Sequence, residues 1–195
     1  MKFIILDRKK IGVTVIIIGL MFILLGFERQ FEDRLKFTVL LQNNINSFVE
    51  YNALNKTLNY ELPKGWSTKE QKFSGGEIIY HNDFVSNDNK IYGYVQVWNS
   101  NKNLKAFLEE SKKISSKQNL YEAYKLEPII INNIKGYLVK YIILTSYDAE
   151  FNGYEYFLNQ DGKFLRFSFF TKKDNFKEDM PIIFENIVKT LHCSN

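Results

Sequence analysis

Residues 125–170 read KLEPIIINNIKGYLVKYIILTSYDAEFNGYEYFLNQDGKFLRFSFF and contain four segments rich in β-branched and aromatic side chains. Such side chains are typical of strands, because they pack well on a pleated, half-buried surface. Short polar turns separate the segments, and short turns join neighbouring antiparallel strands. The stretch therefore predicts an antiparallel meander. Its strands are residues 125–131, 136–145, 150–158 and 163–170.

A helix is predicted directly after the meander, over residues 175–191. Its apolar residues recur at intervals of three and four, which places them on one side of a helix. They are Phe176, Met180, Ile183, Phe184, Ile187, Val188 and Leu191. In the last strand, Leu165 and Phe167 flank Arg166. Because successive side chains of a strand point to opposite faces, one face of the sheet lies in the core and the other is partly covered.

A second set of elements precedes the meander. Residues 77–84 and 91–98 have the composition of strands and flank a polar turn, so they predict a hairpin. Asn103 is a good N-cap for a helix that runs to about residue 115. An antiparallel sheet covered by two helices is an α+β sandwich. We predict this fold, as one domain, for residues 57–195.

The N-terminal part of the chain predicts a membrane anchor. Residues 11–27, IGVTVIIIGLMFILLGF, carry no charge. As a helix they would be about 26 Å long, close to the hydrocarbon thickness of a bilayer. A cleaved signal peptide requires small residues at its cleavage site, and only Gly26 offers one. A buried core helix would not follow a charged run such as residues 7–10. The segment is therefore predicted to cross the lipid bilayer.

The positive residues Arg8, Lys9 and Lys10 predict the orientation, because positive flanks stay on the cytoplasmic side. The first ten residues are then cytoplasmic, and residues 28–195 lie on the extracytoplasmic side of the cell membrane. Residues 28–56 contain no proline or glycine and have apolar residues at helical spacing, so they predict a stalk helix. The stalk is either a spacer, or it packs on the domain or on a second copy of the chain in a homo-oligomer.

The charge distribution bears on nucleic-acid binding. Residues 1–56 carry 8 basic and 5 acidic residues, whereas residues 57–195 carry 18 and 17. Binding to a phosphate backbone requires several unopposed cations on one face, so we predict no nucleic-acid partner for the domain. The single cysteine, Cys193, excludes an intramolecular disulfide.

Four stretches of the domain carry a resemblance to a known family. They are residues 60–66 (YELPKGW), 131–137 (INNIKGY), 167–169 (FSF) and 183–191 (IFENIVKTL). Over residues 58–192 the chain resembles the PsbP-like superfamily, which includes the extrinsic photosystem subunit, the Ran-binding Mog protein and many bacterial envelope proteins. It is most similar to membrane-anchored PsbP-related proteins of low-GC Gram-positive bacteria. Asn133 stands where the family usually has glycine, and asparagine also adopts left-handed backbone angles. No Ran-binding or manganese-site motif matches, so the resemblance implies neither activity.

Few residues are candidates for catalysis or metal binding. His81 and Asp83 lie close together on a predicted strand, but this spacing is too short to define a metal site. Asp148, Glu150 and Glu155 form an acidic stretch without the alternating oxygen spacing of a calcium loop. We therefore predict no catalytic, cofactor or metal site, and no enzyme.

Aromatic side chains on the predicted strands are the candidates for partner binding. Tyrosine and tryptophan are enriched at protein contact surfaces, and some of the aromatic residues of a sheet must face outward. The candidates are Tyr80, Tyr92, Tyr94, Trp98, Tyr154 and Tyr156, together with Tyr137 and Tyr141.

These observations lead to one expected function and two alternatives. We expect a membrane-tethered, non-catalytic binding or accessory module of the cell envelope, whose partner is an envelope protein or another extracytoplasmic ligand. One alternative is an envelope hydrolase, which would require ionisable groups such as His81, Asp83 and Glu155 to meet in a cleft. The other is a structural domain of a homo-oligomer.

Overall fold

The structure of the protein is a computed structural model that describes residues 8–100, 102–115, 120–145 and 149–193. The chain divides into two compact units, Met1–Asn44 and Ile45–Asn195. The helices are α1 (Arg8–Gln42), α2 (Leu104–Ser115) and α3 (Met180–Lys189). The strands are β1 (Phe48–Ala53), β2 (Leu58–Pro63), β3 (Ser67–Glu70), β4 (Ile78–Val85), β5 (Tyr92–Asn99), β6 (Leu120–Ile131), β7 (Ile134–Leu144), β8 (Glu150–Gln160), β9 (Lys163–Lys172) and β10 (His192–Cys193).

The first unit contains α1, a single helix that includes residues 11–27. Within the described residues it is the one helix long and apolar enough to cross a membrane. Large apolar side chains from Val13 to Phe27 are exposed. The helix continues without a break to Gln42, so the predicted span and the first half of the predicted stalk form one element.

The predicted helical stalk is wrong after Gln42, because Phe48–Ala53 forms strand β1 and belongs to the domain. β1 pairs with β2 in antiparallel register, which places Tyr51 opposite Tyr60, and the two rings stack. The connection between the strands has three consecutive residues with positive φ, beginning at Leu54. Such a turn cannot continue a right-handed helix. The second compact unit therefore starts at Ile45 and not at residue 57.

The second unit is built on a seven-stranded antiparallel sheet with the order β3-β4-β5-β9-β8-β7-β6. The predicted hairpin and the four strands of the predicted meander are confirmed, and β6 begins five residues earlier than predicted. The β6–β7 turn has φ 49° at Asn132 and 66° at Asn133, both in the left-handed region. Asparagine tolerates this region, so it replaces the glycine usual in the family.

Helix α3 and the small sheet β1-β2-β10 cover one face of the large sheet. Phe184 of α3 is fully buried and stacks on Phe169 with 4.5 Å between ring centroids. The helix begins at Met180 and not at residue 175. Pro181 is the physical reason, because proline has no N–H and fits only the first turn of a helix. Phe176 lies outside the helix and stacks on Tyr154.

Helix α2 covers part of the opposite face, so the predicted α+β sandwich with two covering helices is confirmed. Asn103 caps it as predicted, accepting a hydrogen bond from the Ala106 N–H at 3.2 Å. Leu104 and Leu108 are buried against Phe164 and neighbouring residues of the sheet. A helix of 12 residues is about 18 Å long, whereas seven strands span about 29 Å. This helix therefore leaves part of the sheet face open.

Candidate binding cleft

A cleft of about 220 Å³ lies between α2 and the sheet face that α2 partly covers. Helix α2 forms one wall, and strands β5 to β9 form the floor and the other walls. Six of the thirteen lining residues are aromatic and five are polar or charged. It consists of Trp98, Phe107, Leu108, Ser111, Lys112, Ser115, Tyr121, Tyr124, Val139, Tyr141, Glu155, Phe157 and Arg166.

An ion pair between Arg166 of β9 and Glu155 of β8 forms the polar floor of the cleft. Glu155 is only 5% exposed, and its Oε2 accepts hydrogen bonds from Arg166 Nε at 2.5 Å and from Ser168 Oγ at 2.8 Å. Arg166 Nη2 also contacts Oε2. The second oxygen, Oε1, accepts a hydrogen bond from the Tyr141 hydroxyl at 2.5 Å. Four donor groups therefore hold one buried carboxylate in place.

A glycine makes the contact of Tyr141 with Glu155 sterically feasible. Gly153 lies opposite Tyr141 in the β7–β8 pairing. A Cβ at Gly153 would lie 2.4 Å from the Tyr141 ring. This separation is shorter than the contacts that real Cβ atoms make. The ring therefore lies flat over the glycine, with its hydroxyl on Glu155. Burial, and then the neighbouring carboxylate, raise the pKa of Tyr141 well above its usual value, so the phenol stays protonated and donates.

Two aromatic rings hold the guanidinium of Arg166. Its Cζ lies 4.9 Å from the centroid of Tyr94 and 5.1 Å from that of Phe157. Burial is the largest single effect and lowers the pKa of Arg166, but Glu155, Tyr94 and Tyr141 together outweigh it, so the pKa is raised. The ion pair and the cation–π contacts together keep Arg166 charged and in one position.

A line of hydrogen bonds extends from Arg166 towards the edge of the sheet. Gln96 Oε1 accepts from Arg166 Nη1 at 3.3 Å and from the Trp98 indole N–H at 3.0 Å. The guanidinium and the indole can only donate, so the amide oxygen of Gln96 must face them. Its Nε2 then donates to His81 Nδ1 at 2.7 Å. His81 is therefore the Nε2–H tautomer in its neutral form, and this N–H donates to Asp83 Oδ1 at 2.7 Å.

Three tyrosines form the aromatic end of the cleft. The rings of Tyr124 and Tyr141 are nearly parallel, at an angle of 10°, and Tyr121 stands at 82° and 85° to them. Lys112 of α2 is exposed, and its Nζ lies 4.2 Å from the Tyr124 centroid. Burial raises the pKa of Tyr124 to about 12, so this phenol is neutral at physiological pH. The end of the cleft is therefore an aromatic surface with hydroxyl edges, and the Lys112 ammonium lies over one of its rings.

The predicted aromatic candidates do not form one surface. Tyr94, Trp98, Tyr137 and Tyr141 lie on the α2 face, as does Tyr92, which is 38% exposed. The other three lie on the α3 face, because they are sequence neighbours of His81 and Glu155, whose side chains point to the α2 face. Tyr156 is 3% exposed, Tyr154 stacks on Phe184, and the hydroxyl of Tyr80 hydrogen-bonds to that of Tyr60. Tyr156 is therefore buried and does not face outward, whereas Tyr80 and Tyr154 are half-buried. Partner binding by these aromatic residues stays a prediction.

The groups that the hydrolase alternative requires are not brought together in the cleft. His81 and Asp83 contact each other, but Gln96 and Arg166 stand between them and Glu155. Of these three predicted groups, only Glu155 lines the cleft. His81 is not a polar residue of an exposed strand face, because it is 5% exposed and packs against aromatic rings.

The acidic stretch gives no support to a metal site. Glu150 pairs with Lys173, Glu155 is held by Arg166, and Asp148 lies outside the described residues. Across residues 8–100, 102–115, 120–145 and 149–193, no group of three or more His, Cys, Asp or Glu side chains is arranged to hold a metal ion. The topology signal Arg8–Lys10 lies in the first turn of α1.

Sequence reasoning missed Tyr121, Tyr124 and Arg166 of the cleft lining. It also missed Gln96 and Ser168, which hydrogen-bond to Arg166 and Glu155. One signal for them was present, because Arg166 and Ser168 alternate with phenylalanines on β9. A charged residue in such a strand requires a partner on the same face of a neighbouring strand. The sequence does not name that partner, since pairing of β8 with β9 sets which residue stands beside Arg166.

Comparison with known proteins finds likeness in structure. The sequence matches no protein-family model and no curated protein. Among solved structures, cyanobacterial PsbP from Synechocystis is 16% identical, with a TM-score of 0.59 over 77% of this chain and 94% of that protein. The domain has the PsbP-like fold. The resemblance predicted from the sequence is thus confirmed at the level of the fold, and membership of the membrane-anchored subgroup stays a prediction.

Two other solved structures are similar. A protein from Bacteroides thetaiotaomicron is 13% identical, with a TM-score of 0.50 over 75% of this chain and 48% of that protein. A protein from Pseudomonas aeruginosa, described as a putative regulator, is 14% identical, with a TM-score of 0.46 over 77% of this chain and 99% of that protein. At such identities a likeness in structure carries no ligand or activity from one protein to another.

Proposed function

We propose that this protein is a membrane-tethered, non-catalytic binding module of the cell envelope, and that the aromatic cleft beside α2 is its binding site. In this proposal α1 crosses the cell membrane, and the PsbP-like domain faces the extracytoplasmic side. The ligand enters between α2 and the sheet and contacts the tyrosines and the Arg166–Glu155 pair.

The arrangement of the cleft floor is the observation that carries the proposal. Ligand sites are concave and mostly apolar, with a few polar groups held in fixed positions. Here Glu155 is held by four donors, and Arg166 by two rings, Glu155 and Gln96. Acid–base or nucleophilic catalysis requires a group that can give up or take a proton during the reaction. A salt-bridged carboxylate and an arginine serve better to orient a ligand.

The sequence and α1 support the membrane part of the proposal. The apolar side chains of α1 from Val13 to Phe27 are exposed, and exposing such a surface to water is unfavourable. The cluster Arg8–Lys10 favours a cytoplasmic N-terminus.

A label in the cleft tests binding directly. The chain has two tryptophans, so 5-fluorotryptophan labelling of the full-length protein in lipid nanodiscs gives two fluorine resonances. A Trp66→Phe variant assigns them, and Trp98 then reports on the cleft that it lines. We expect one of three envelope fractions, namely wall polysaccharide, lipid extract or extracytoplasmic protein, to shift the Trp98 resonance.

Matched variants show whether the shift arises in the cleft. Tyr124→Leu removes a cleft wall and should abolish the shift, whereas Tyr92→Leu removes a tyrosine on the same face outside the cleft and should preserve it. Absence of a shift with every fraction, or an equal shift in the Tyr124→Leu variant, contradicts the proposed site.

Topology is tested in cells. Protease added to intact cells should digest the domain and spare the N-terminal segment, and alkaline carbonate should leave the protein in the membrane. Protection of the domain would contradict the orientation, and extraction by carbonate would contradict the membrane span.

A further inference from the structure

We infer that the cleft binds an uncharged sugar ring of a cell-surface glycan. This inference rests on the proposed function, because it names the ligand class of the same cleft. It is carried by three properties of the described residues: the size of the cleft, the balance of charge in its floor, and the combination of aromatic walls with fixed hydrogen-bonding groups.

The size of the cleft limits the ligand to a single ring. A volume of about 220 Å³ is space for roughly seven water molecules. Sites for drug-sized molecules are larger, at about 300–1,000 Å³. One six-membered ring with its substituents fits such a volume.

The floor disfavours a ligand with a full charge of either sign. Arg166 and Glu155 neutralise each other at direct contact. An anion placed on this floor meets the Glu155 carboxylate, and a cation meets the Arg166 guanidinium, at distances where like charges repel strongly in a poorly hydrated site. The Lys112 ammonium lies over the Tyr124 ring at the exposed end of the cleft, where water and salt screen its charge. A neutral ligand with both donor and acceptor groups avoids either repulsion.

The hydrogen-bonding groups of the floor distinguish a sugar from a flat apolar ring. Three of the five N–H groups of Arg166 are used by Glu155 and Gln96, so two remain without a partner among the described residues. An aryl ligand would cover these N–H groups without bonding to them, and burying an unsatisfied donor is costly. Ring hydroxyls can accept hydrogen bonds from these N–H groups, and Ser111 and Ser115 of α2 line the opposite wall.

The walls fit the remaining surface of a sugar. A pyranose has apolar C–H groups on its ring faces and hydroxyls around its edge. The C–H groups can pack on the aromatic surface of Tyr121, Tyr124 and Trp98. The hydroxyls can bond to polar groups of the floor and of α2. The Tyr124 wall is fixed by the perpendicular Tyr121 ring and the parallel Tyr141 ring, so little side-chain freedom is lost on binding.

The test compares neutral sugars with their charged congeners. Full-length protein in nanodiscs, labelled with 5-fluorotryptophan, is titrated with the methyl pyranosides of glucose, galactose, mannose and N-acetylglucosamine. The 2-amino sugar (cationic) and the uronic acid (anionic) of the configuration that binds best are then titrated. We expect saturable shifts of the Trp98 resonance with at least one neutral sugar, and affinities about tenfold lower for both charged congeners.

Cleft variants complete the test. Tyr124→Leu should abolish the sugar-dependent shift, and Tyr92→Leu should leave it unchanged. The inference is overturned if no neutral sugar binds, if a charged congener binds as tightly as the neutral one, or if Tyr124→Leu binds normally. If an envelope fraction shifts Trp98 through the cleft while no sugar does, the ligand class is wrong and the binding module stands. If neither does, both fail.

Discussion

Removing one partner of the Arg166–Glu155 pair should destabilise the domain about as much as removing both. Loss of one partner leaves a poorly hydrated charge unpaired, which costs about 3–5 kcal/mol in buried sites. Glu155→Met leaves a guanidinium that is 21% exposed and still rests on two rings, so we expect the lower end, about 3 kcal/mol. Arg166→Met leaves a carboxylate that is 7% exposed, so we expect about 4 kcal/mol. The double variant leaves no charge and should cost no more than the worse single variant.

Urea unfolding of residues 45–195, monitored by circular dichroism, measures these values. For a slope of about 2 kcal/mol per molar urea, the midpoint should fall by about 1.5 M for Glu155→Met and about 2 M for Arg166→Met. The coupling energy from the four proteins should be about 3 kcal/mol or more. Additive effects of the two substitutions would refute the view that the cleft floor is one electrostatic unit, as would single variants that unfold at the wild-type midpoint.

Three further predictions concern the core, the domain boundary and the cleft wall. Phe184→Ala should lower the free energy of unfolding by about 3–5 kcal/mol in a urea titration, because Phe184 is fully buried. An unchanged midpoint would show that Phe184 is not part of the core. Residues 45–195 should fold alone. Residues 57–195 lack β1, which pairs with β2 along six residues, so this fragment should unfold at lower temperature or aggregate. Equal melting temperatures of the two fragments would contradict this boundary. Gly153→Ala should displace the Tyr141 ring, lower the free energy of unfolding by about 1–3 kcal/mol and weaken ligand binding in the cleft. A crystal structure of this variant with the ring unmoved would contradict the close contact.

Much of the fold was predictable from local sequence patterns. Aromatic and β-branched residues predict the strands of the meander. Residues such as Asp161 and Gly162, which both have positive φ, predict its turns. The helix boundaries were less predictable. The stalk prediction continued through Phe48–Ala53 because an apolar residue every few positions is compatible with a helix and with a strand when the pairing partner is unknown.

The cleft was less predictable than the fold, because its groups come from five strands and one helix. His81 and Glu155 are 74 positions apart in the sequence, yet the strand order β4-β5-β9-β8 links them through Gln96 and Arg166. Alternation along a strand predicts that neighbouring residues face opposite sides, but it does not predict which face a helix will cover. Tyr154 and Tyr156 were assigned to a binding surface for that reason, and both lie on the α3 side.

The sequence by itself determined the class of the fold, the turns, the covering helices and an apolar segment long enough to cross a bilayer. Each of these depends on composition and spacing within about twenty consecutive residues, and local sterics and hydrophobic burial act on that scale. Only the tertiary structure decided that Arg166 meets Glu155, that Gly153 makes room for Tyr141, and that α2 leaves a cleft open beside them. Those contacts depend on the register and order of strands distant in sequence, and on a helix too short to cover the sheet.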